Sequence, residues 1–516
     1  MKCVSDIHNK LHSFFNNREI NSFITTLLLF VGFYFSILTL LHQNIIDPLA
    51  EVPLLSGTDA DVTVTIKSLF VLFVLLLVAV ASSRIAHVIY LPPLFGCLVL
   101  GIIIRNVECF YHFFVLPPYW DLILRKLAFV NIVLRWGLAT NAKFIWQNPA
   151  LPLTLGLTSA LTEAAAIAIG IFFILKTSVI MSILAGLVLA TVSPAVSVPT
   201  MIKFRDEGYG SKKNIPDNVL ATCCCDNFIC VFIFMIICSV LFSEAPTFST
   251  ILLNAGTLAF GIFGGFLIGW IFWRFPRNDV PHTQLSRAIL LGTYTTALII
   301  GCYFVQYPCA GLVAGLILSS MCASRWSVDS GDKLQSVETI FKYIWDVFSL
   351  PILFVLLGKK FDCSTLTWET VLLSLGVIAI GLIARIIISF VVMGCFDLNI
   401  KEKIVITLSL LPKATIQADL GPTLVLLAAP YAQYAGDANQ IMSVCILTIF
   451  FTAPLFSLLL TTAGTKLLSQ DYQDTIHGEP KMKGYMIEER VDENTEKVTH
   501  KSIFNRIENN LLVERY

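Results

Sequence analysis

The sequence predicts an all-α polytopic membrane protein with about 14 transmembrane helices. The first observation is composition: 56% of the 516 residues are hydrophobic and only 14% are charged, whereas soluble domains carry about 25% charged residues. The second is that apolar runs long enough to cross a bilayer, about 20 residues each, recur along most of the chain. The third is that basic residues collect in alternate loops.

The apolar runs place the predicted spans. In chain order they are 22–42, 66–83, 88–104, 123–139, 149–175, 177–202, 217–242, 249–273, 286–305, 307–324, 340–358, 368–396, 403–428 and 438–466. They form a predicted transmembrane domain over 22–467, between a cytoplasmic N-terminal tail, 1–21, and a cytoplasmic C-terminal tail, 468–516. Both tails are polar and mixed in charge, with too few apolar residues to bury a core.

Loop charge sets the predicted orientation. Loops after even-numbered spans hold Arg84, Lys143, Lys203, Arg205, Lys212, Lys213, Arg274, Arg277, Arg325, Lys333, Lys401 and Lys403. Loops after odd-numbered spans are acidic or nearly uncharged, with Lys359 and Lys360 as the main exceptions. The positive-inside rule therefore puts both termini in the cytoplasm, as an even number of spans requires. The plasma membrane is the default location, because no retention or transit signal is readable.

Composition also argues against several classes of function. A chain this apolar must bury most of its surface in the lipid bilayer, and its net charge of zero does not suggest a nucleic-acid partner. The 14 cysteines form no paired CxxC set and only 8 histidines are present, which favours neither a zinc site nor a disulfide framework. No glycine-rich nucleotide loop and no Ser/His/Asp set is placed for catalysis, so we expect neither an enzyme nor a cofactor.

Two predicted spans contain helix breakers beside polar residues. The first runs from Thr191 to Pro199 and the second from Leu411 to Pro422. The predicted helix-break residues are Pro194, Pro199, Pro412, Gly421 and Pro422. Proline removes an N–H donor and clashes with the preceding turn, so the helix unwinds and its freed carbonyls need polar partners. An ordinary kink would explain one such span, but two at corresponding places in the two halves favour a transport site.

Four ionisable side chains lie inside apolar runs, where a charge is costly and indicates a functional site. Asp226, followed by Asn227, lies in the seventh span, Glu163 in the fifth, Arg385 in the twelfth and Lys413 at the second break. Arg385 needs a carboxylate partner, and Glu163 is the candidate for a structural ion pair. Asp226 can hold a proton or a cation, but not both, and Lys413 is expected to neutralise it when the cation is absent. The alternative is that Asp226 only ties two helices together by hydrogen bonds.

The chain resembles the cation/proton antiporter superfamily, and within it the animal sodium/hydrogen exchanger 9B group. The resemblance spans about Leu124 to Leu468 and is carried by Leu187–Val196, the Asp226-Asn227 doublet, Arg385, Lys401–Ile404 and Leu411–Ala418. It implies a fold of the NhaA/NapA type, with inverted repeats, a core of six helices with two crossed broken helices, and a separate dimerisation domain. It further implies a homodimer with an elevator-like movement that exchanges sodium or lithium for protons.

The resemblance also assigns roles to individual residues. Asp226 matches the first acid of the family doublet, Glu163 and Arg385 match the intramembrane ion pair, and Lys413 matches the lysine of the second crossing helix. Asp226 and Asn227, with Thr191 and Ser193 beside the first break, are the candidate ion- and proton-binding residues. Sodium would bind transiently at Asp226, and no fixed metal is expected.

The chain departs from the family pattern at Asn227, where the 9B pattern has a second aspartate that is the main cation ligand. With Glu163 and Asp226 ionised and Arg385 and Lys413 charged, the four groups sum to zero. A neutral site attracts a cation less, and protonated Asp226 would make it positive. Three hypotheses therefore stay open: a cation/proton antiporter, a proton-coupled chloride transporter, and a non-transporting regulatory homologue.

Overall fold

A computed structural model describes residues 59–470, apart from 90, 141, 244–246, 278–281, 328–330 and 366, together with 24, 28, 31, 32, 35 and 36. The predicted N-terminal tail, most of the predicted first span and residues 471–516 of the predicted C-terminal tail lie outside the described residues.

The described residues are almost entirely helical, as the apolar runs predict. The helices are α1 Asp59–Val88, α2 Pro93–Asn106, α3 Glu108–Phe113, α4 Pro118–Ala139, α5 Ala142–Gln147, α6 Ala150–Gly170, α7 Val179–Ala190, α8 Pro194–Asp206, α9 Ile215–Leu241, α10 Thr247–Arg274, α11 Thr283–Phe304, α12 Pro308–Trp326, α13 Gly331–Ile344, α14 Leu350–Gly358, α15 Trp368–Met393, α16 Ile400–Ser409, α17 Thr415–Ala428 and α18 Ala432–Leu467. Short π-helical segments, Ile171–Leu175 and Trp345–Ser349, extend α6 and join α13 to α14.

Within the described residues, 10 helical stretches are long and apolar enough to cross a membrane, which supports an integral multi-pass membrane protein. Every predicted span after the first coincides either with one of these stretches or with helices that are too short or too polar to be counted among them. Those exceptions are α2, the α16–α17 pair and α4. Helix α2 and the halves α16 and α17 are short, while α4 carries buried charges. The predicted number of 14 spans is therefore not reached by length and hydropathy alone.

Both predicted interruptions are present, and both are shorter than the sequence suggests. Helix α7 ends at Ala190 and α8 begins at Pro194, a position where proline is favoured because no intrahelical N–H bond is lost. The second break covers 410–414, between α16 and α17, and contains Pro412. The expectation that Pro199, Gly421 and Pro422 break their helices is wrong, since all three lie inside α8 or α17. A single proline removes one intrahelical hydrogen bond, and membrane helices generally tolerate that loss.

The two interruptions lie against each other and satisfy each other's polar groups. The Ser193 N–H donates to the Pro412 carbonyl at 2.8 Å, and the Ser197 hydroxyl donates to the Ser409 carbonyl at 2.6 Å. From α17, the Gln417 amide donates to the Thr191 carbonyl at 2.8 Å. Unpaired backbone groups are costly where no water is present, so these bonds stabilise two chain segments that could not stay unwound alone.

A glycine permits the close approach of α7, which ends at the first interruption, to α6. A Cβ atom at Gly186 of α7 would lie only 2.2 Å from the Ala164 carbonyl oxygen of α6. Ala164 directly follows Glu163, so this crossing holds the Glu163 carboxylate beside the end of α7.

Candidate functional site

Four fully buried charged side chains meet at the crossing of the interruptions, and we call them the central cluster: Glu163, Asp226, Arg385 and Lys413. They come from α6, α9, α15 and the second break, so four separate elements contribute one group each. The sequence predicts all four as candidates from the cost of intramembrane charge alone.

Arg385 joins both carboxylates of the central cluster. Its Nε donates to Glu163 Oε2 in a short contact, and its Nη1 lies 2.7 Å from Asp226 Oδ2. Lys413 Nζ donates to the same Glu163 oxygen at 2.8 Å. The cluster therefore holds two carboxylates and two cations, and it is neutral when all four are ionised. Paired charges can be buried at acceptable cost only when this balance and the hydrogen bonds are complete.

Lys413 does not neutralise Asp226, and that part of the sequence prediction is wrong. Its ammonium lies on Glu163 and on the Ala190 carbonyl, to which it donates at 2.6 Å. Arg385 faces Asp226 instead, because its planar guanidinium carries five donors and can reach two carboxylates at once.

Backbone carbonyls at the C-terminal ends of α7 and α16 supply the remaining acceptors for Arg385 and Lys413. The Ala190 carbonyl at the end of α7 accepts from Arg385 Nη2 at 2.8 Å as well as from Lys413. The Leu410 carbonyl, just after α16, accepts from Arg385 Nη1 at 3.3 Å. Carbonyls at a helix C-terminus lack intrahelical donors and carry partial negative charge, so they bind cations well.

Asp226 faces the opposite kind of helix end. Its Oδ1 accepts from the Val192 N–H, 3.4 Å away, in the gap just before α8 begins. The N-terminal side of a half-helix favours negative charge. At the crossing, the two cations therefore contact helix ends that present carbonyls, and Asp226 contacts a helix end that presents an N–H group.

The other predicted ion-binding residues are buried near the same gap, and most of their side-chain polar atoms make fewer hydrogen bonds than the central cluster does. Ser193 Oγ and both side-chain polar atoms of Asn227 have no hydrogen-bond partner among the described residues. Thr191 Oγ1 donates to the Val188 carbonyl at 2.8 Å. No hydrogen bond within the described part of the chain joins Asn227 or Ser193 to Asp226. Buried polar atoms are usually paired, so these unpaired oxygens are available as ligands.

A cavity of about 230 Å³ leads to the crossing from one end of α4. Its walls include Pro194 and Thr415, the first residues of the half-helices α8 and α17, and the charged residues Arg135 and Glu338. Small ions can therefore approach the amide ends of both half-helices. Among the described residues, no group of three or more His, Cys, Asp or Glu side chains is placed to hold a metal ion.

Sequence reasoning missed a second buried ion pair, which we call the seam pair: Lys126 of α4 and Asp419 of α17. Lys126 Nζ lies 2.9 Å from Asp419 Oδ2 and 3.1 Å from Thr423 Oγ1. The signal was available, because Lys126 lies in an apolar run and Asp419 lies seven residues after Pro412 in the second interrupted span.

This combination defines a class of protein: a polytopic membrane transporter with two crossed interrupted helices around buried charges. The family model described as the transmembrane region of the sodium/hydrogen exchangers matches residues 71–466. The chain belongs to this family, and its resemblance to the 9B group is confirmed.

Individual relatives and one solved structure agree with that family. Sodium/hydrogen exchanger 9B1 of Homo sapiens is 31% identical over 412 residues, which cover 78% of this chain and 79% of the relative. Sodium/hydrogen exchanger 9B2 of Xenopus tropicalis is 30% identical over 418 residues, or 79% of this chain and 76% of the relative. The fold is similar to the sodium proton antiporter MjNhaP1 from Methanocaldococcus jannaschii at pH 8, with a TM-score of 0.59, 17% identity, and coverage of 78% of this chain and 99% of that structure.

Proposed function

We propose that the protein exchanges sodium or lithium for protons and that Asp226 is the group that binds either ion. The observation that carries this proposal is the position of Asp226, a fully buried carboxylate between Arg385 and the amide end of the first interruption. The names of the relatives and of the structural neighbour support sodium and protons as the exchanged ions.

The charge balance of the central cluster explains why the two ions would compete. The cluster is neutral, and either a proton or a monovalent cation on Asp226 adds one positive charge. Adding both would place two excess positive charges in a buried site, where repulsion is poorly screened. Either ion must also separate Asp226 from Arg385, whose other hydrogen bonds, to Glu163 and the Ala190 carbonyl, hold it nearby.

Asn227 and Ser193 are the proposed neutral ligands for the cation. The Asn227 amide oxygen and the Ser193 hydroxyl are buried and unpaired among the described residues, and small hard cations prefer oxygen ligands. A single ionised ligand gives weaker attraction than a pair of aspartates would, so a modest cation affinity is expected.

We propose an elevator-like movement for access from the second side of the membrane. Support comes from two observations around α4: the cavity beside Pro194 reaches the half-helix ends from one end of α4, and the seam pair ties the N-terminal half of α4 to α17. A homodimer with both termini in the cytoplasm, in the plasma membrane, completes the proposal. It is motivated by the family resemblance and the loop charges.

Proteoliposomes with an imposed pH gradient test the function. We expect sodium- or lithium-dependent proton flux that Asp226→Asn abolishes. Asp217→Asn is the matched control, because Asp217 lies on the same helix but at the surface, 3.5 Å from Arg205, and should retain the flux. Flux that survives Asp226→Asn would contradict the site. A proton flux that needs chloride and ignores sodium would contradict the cargo.

A further inference from the structure

A second cavity, of about 650 Å³, lies at the end of α4 opposite the cavity beside Pro194, and we call it the vestibule. It is bounded by the N-terminal part of α4, the end of α14, and segments of α17 and α18. Its polar wall contains Arg105, Asp121, Arg125, Lys359, Lys360 and Asn439. The central cluster contributes no residue to this wall.

The vestibule has an excess of positive charge. Arg125 Nη2 lies 3.1 Å from Asp121 Oδ2, and Lys360 Nζ lies 3.4 Å from the same oxygen. Lys359 Nζ donates to the Phe114 carbonyl at 2.6 Å, a neutral partner. Arg125 and Lys360 thus share one carboxylate, while the hydrogen-bond partner of Lys359 is uncharged. Arg105 does not add to the excess, because Asp362 lies 2.9 Å from it.

One of these cations is buried with a donor left over. Arg125 is only 3% exposed, and its Nη1 makes no hydrogen bond within the described residues. The Asp419 carboxylate is 3.9 Å away, beyond hydrogen-bond distance. A buried charged donor without an acceptor is costly, so an acceptor that enters the vestibule would be bound favourably.

The ammonium group of Lys359 also favours binding of an anion. Burial of its ammonium group lowers the pKa of Lys359 to about 8, and Lys360 acts in the same direction while Asp121 opposes them. An anion beside this lysine would stabilise its charged form.

We propose that the vestibule binds a phosphate-type oxyanion, held by Arg125, Lys359 and Lys360. A guanidinium beside two ammonium groups suits the several oxygens of a phosphate, and the cavity is far larger than a monatomic ion needs. Apolar residues such as Leu116, Val425 and Leu426 complete the wall, so the phosphate can carry an apolar part. The source is either a soluble phosphate or the phosphate of an anionic phospholipid.

Two binding assays on the full-length protein in detergent distinguish these sources without measuring transport. The first compares thermal unfolding in potassium phosphate with unfolding in potassium chloride of equal ionic strength. The second uses native mass spectrometry to compare retention of phosphatidylglycerol with retention of phosphatidylcholine. A higher unfolding temperature in phosphate than in chloride indicates a soluble ligand. Preferential retention of phosphatidylglycerol, without stabilisation by phosphate, indicates a lipid.

The variant Lys359→Gln/Lys360→Gln should weaken the observed binding by roughly tenfold or more for each cation removed, because each loses a charge-assisted hydrogen bond. Lys466→Gln is the control, since Lys466 is an exposed lysine outside the vestibule. Lys360→Gln alone provides a variant expected to fold, because its side chain is 42% exposed. The proposal is overturned if wild-type protein binds neither probe, or if the lysine variants bind as tightly as wild type and Lys466→Gln.

Discussion

Asp226 and Arg385 form a fully buried ion pair, with 2.7 Å between Oδ2 and Nη1. The proposed ion-binding carboxylate is therefore already neutralised by a guanidinium that also holds Glu163. Any ion that binds Asp226 must compete with this guanidinium, and the stability of the site depends on it.

Arg385→Gln should destabilise the protein more than Lys413→Gln. The first change leaves Asp226 without its cation and removes one of the two cations on Glu163, whereas the second leaves every carboxylate with one partner. Removing one member of a buried pair typically costs about 3–5 kcal/mol, so Arg385→Gln should fall at or above the top of that range. Thermal unfolding of the purified variants measures the order, and an equal or reversed order would contradict the bridging role of Arg385.

Asn227→Asp should increase the preference for cations. The change makes the central region net negative by one charge in the ion-free state, which raises the attraction for sodium and lithium. Asn218→Asp is the control, because Asn218 lies on the same helix, where it bonds the Asn214 carbonyl near the surface. Ion preference in proteoliposomes is the measurement. If Asn227→Asp and wild type show the same preference, the charge argument is wrong.

Lys126 and Asp419 should show strong energetic coupling. Asp419→Asn leaves Lys126 without its carboxylate, and Lys126→Met leaves Asp419 with only Arg125, 3.9 Å away; each single change should cost about 3–5 kcal/mol, while the double variant should cost much less than the sum. Thermal unfolding of the four proteins gives the coupling energy. Additive effects would show that the two side chains do not depend on each other, despite the 2.9 Å contact.

Gly186→Ala should disrupt the packing beside Glu163. The new methyl group would meet the Ala164 carbonyl at 2.2 Å, and overpacking of this kind costs about 1–3 kcal/mol. Gly256→Ala is the matched control, because no atom lies within 4 Å of the position that its methyl group would occupy, and it should leave the unfolding temperature unchanged or higher. Equal unfolding temperatures for the two variants would contradict the close crossing of α6 and α7.

The sequence was sufficient for the helices and for the location of the interruptions. Apolar length predicts the spans, and Pro194 and Pro412 predict where two of them open, because both signals act within a few residues of the chain. Local chemistry overestimates the extent of unwinding at Pro199 and Pro422, because both prolines lie inside helices that continue through them.

The contacts between charges were harder to predict. The free-energy cost of a charge in the middle of the membrane identifies Asp226 and Lys413 as candidates. It does not predict which carboxylate the lysine contacts when four elements meet. That choice depends on side-chain reach and on the Ala190 carbonyl, which become neighbours only in the folded chain. Lys126 and Asp419 satisfied the same criterion and were missed because they lie about 290 residues apart, with no motif to connect them.

The oxygen of Ala190 accepts one hydrogen bond from Arg385 and another from Lys413. The Ala190 peptide group therefore links the two cations of the central cluster, and a shift of either donor should change the hydrogen bond that the other makes. A vibrational label on this one amide should consequently respond when an ion displaces either donor.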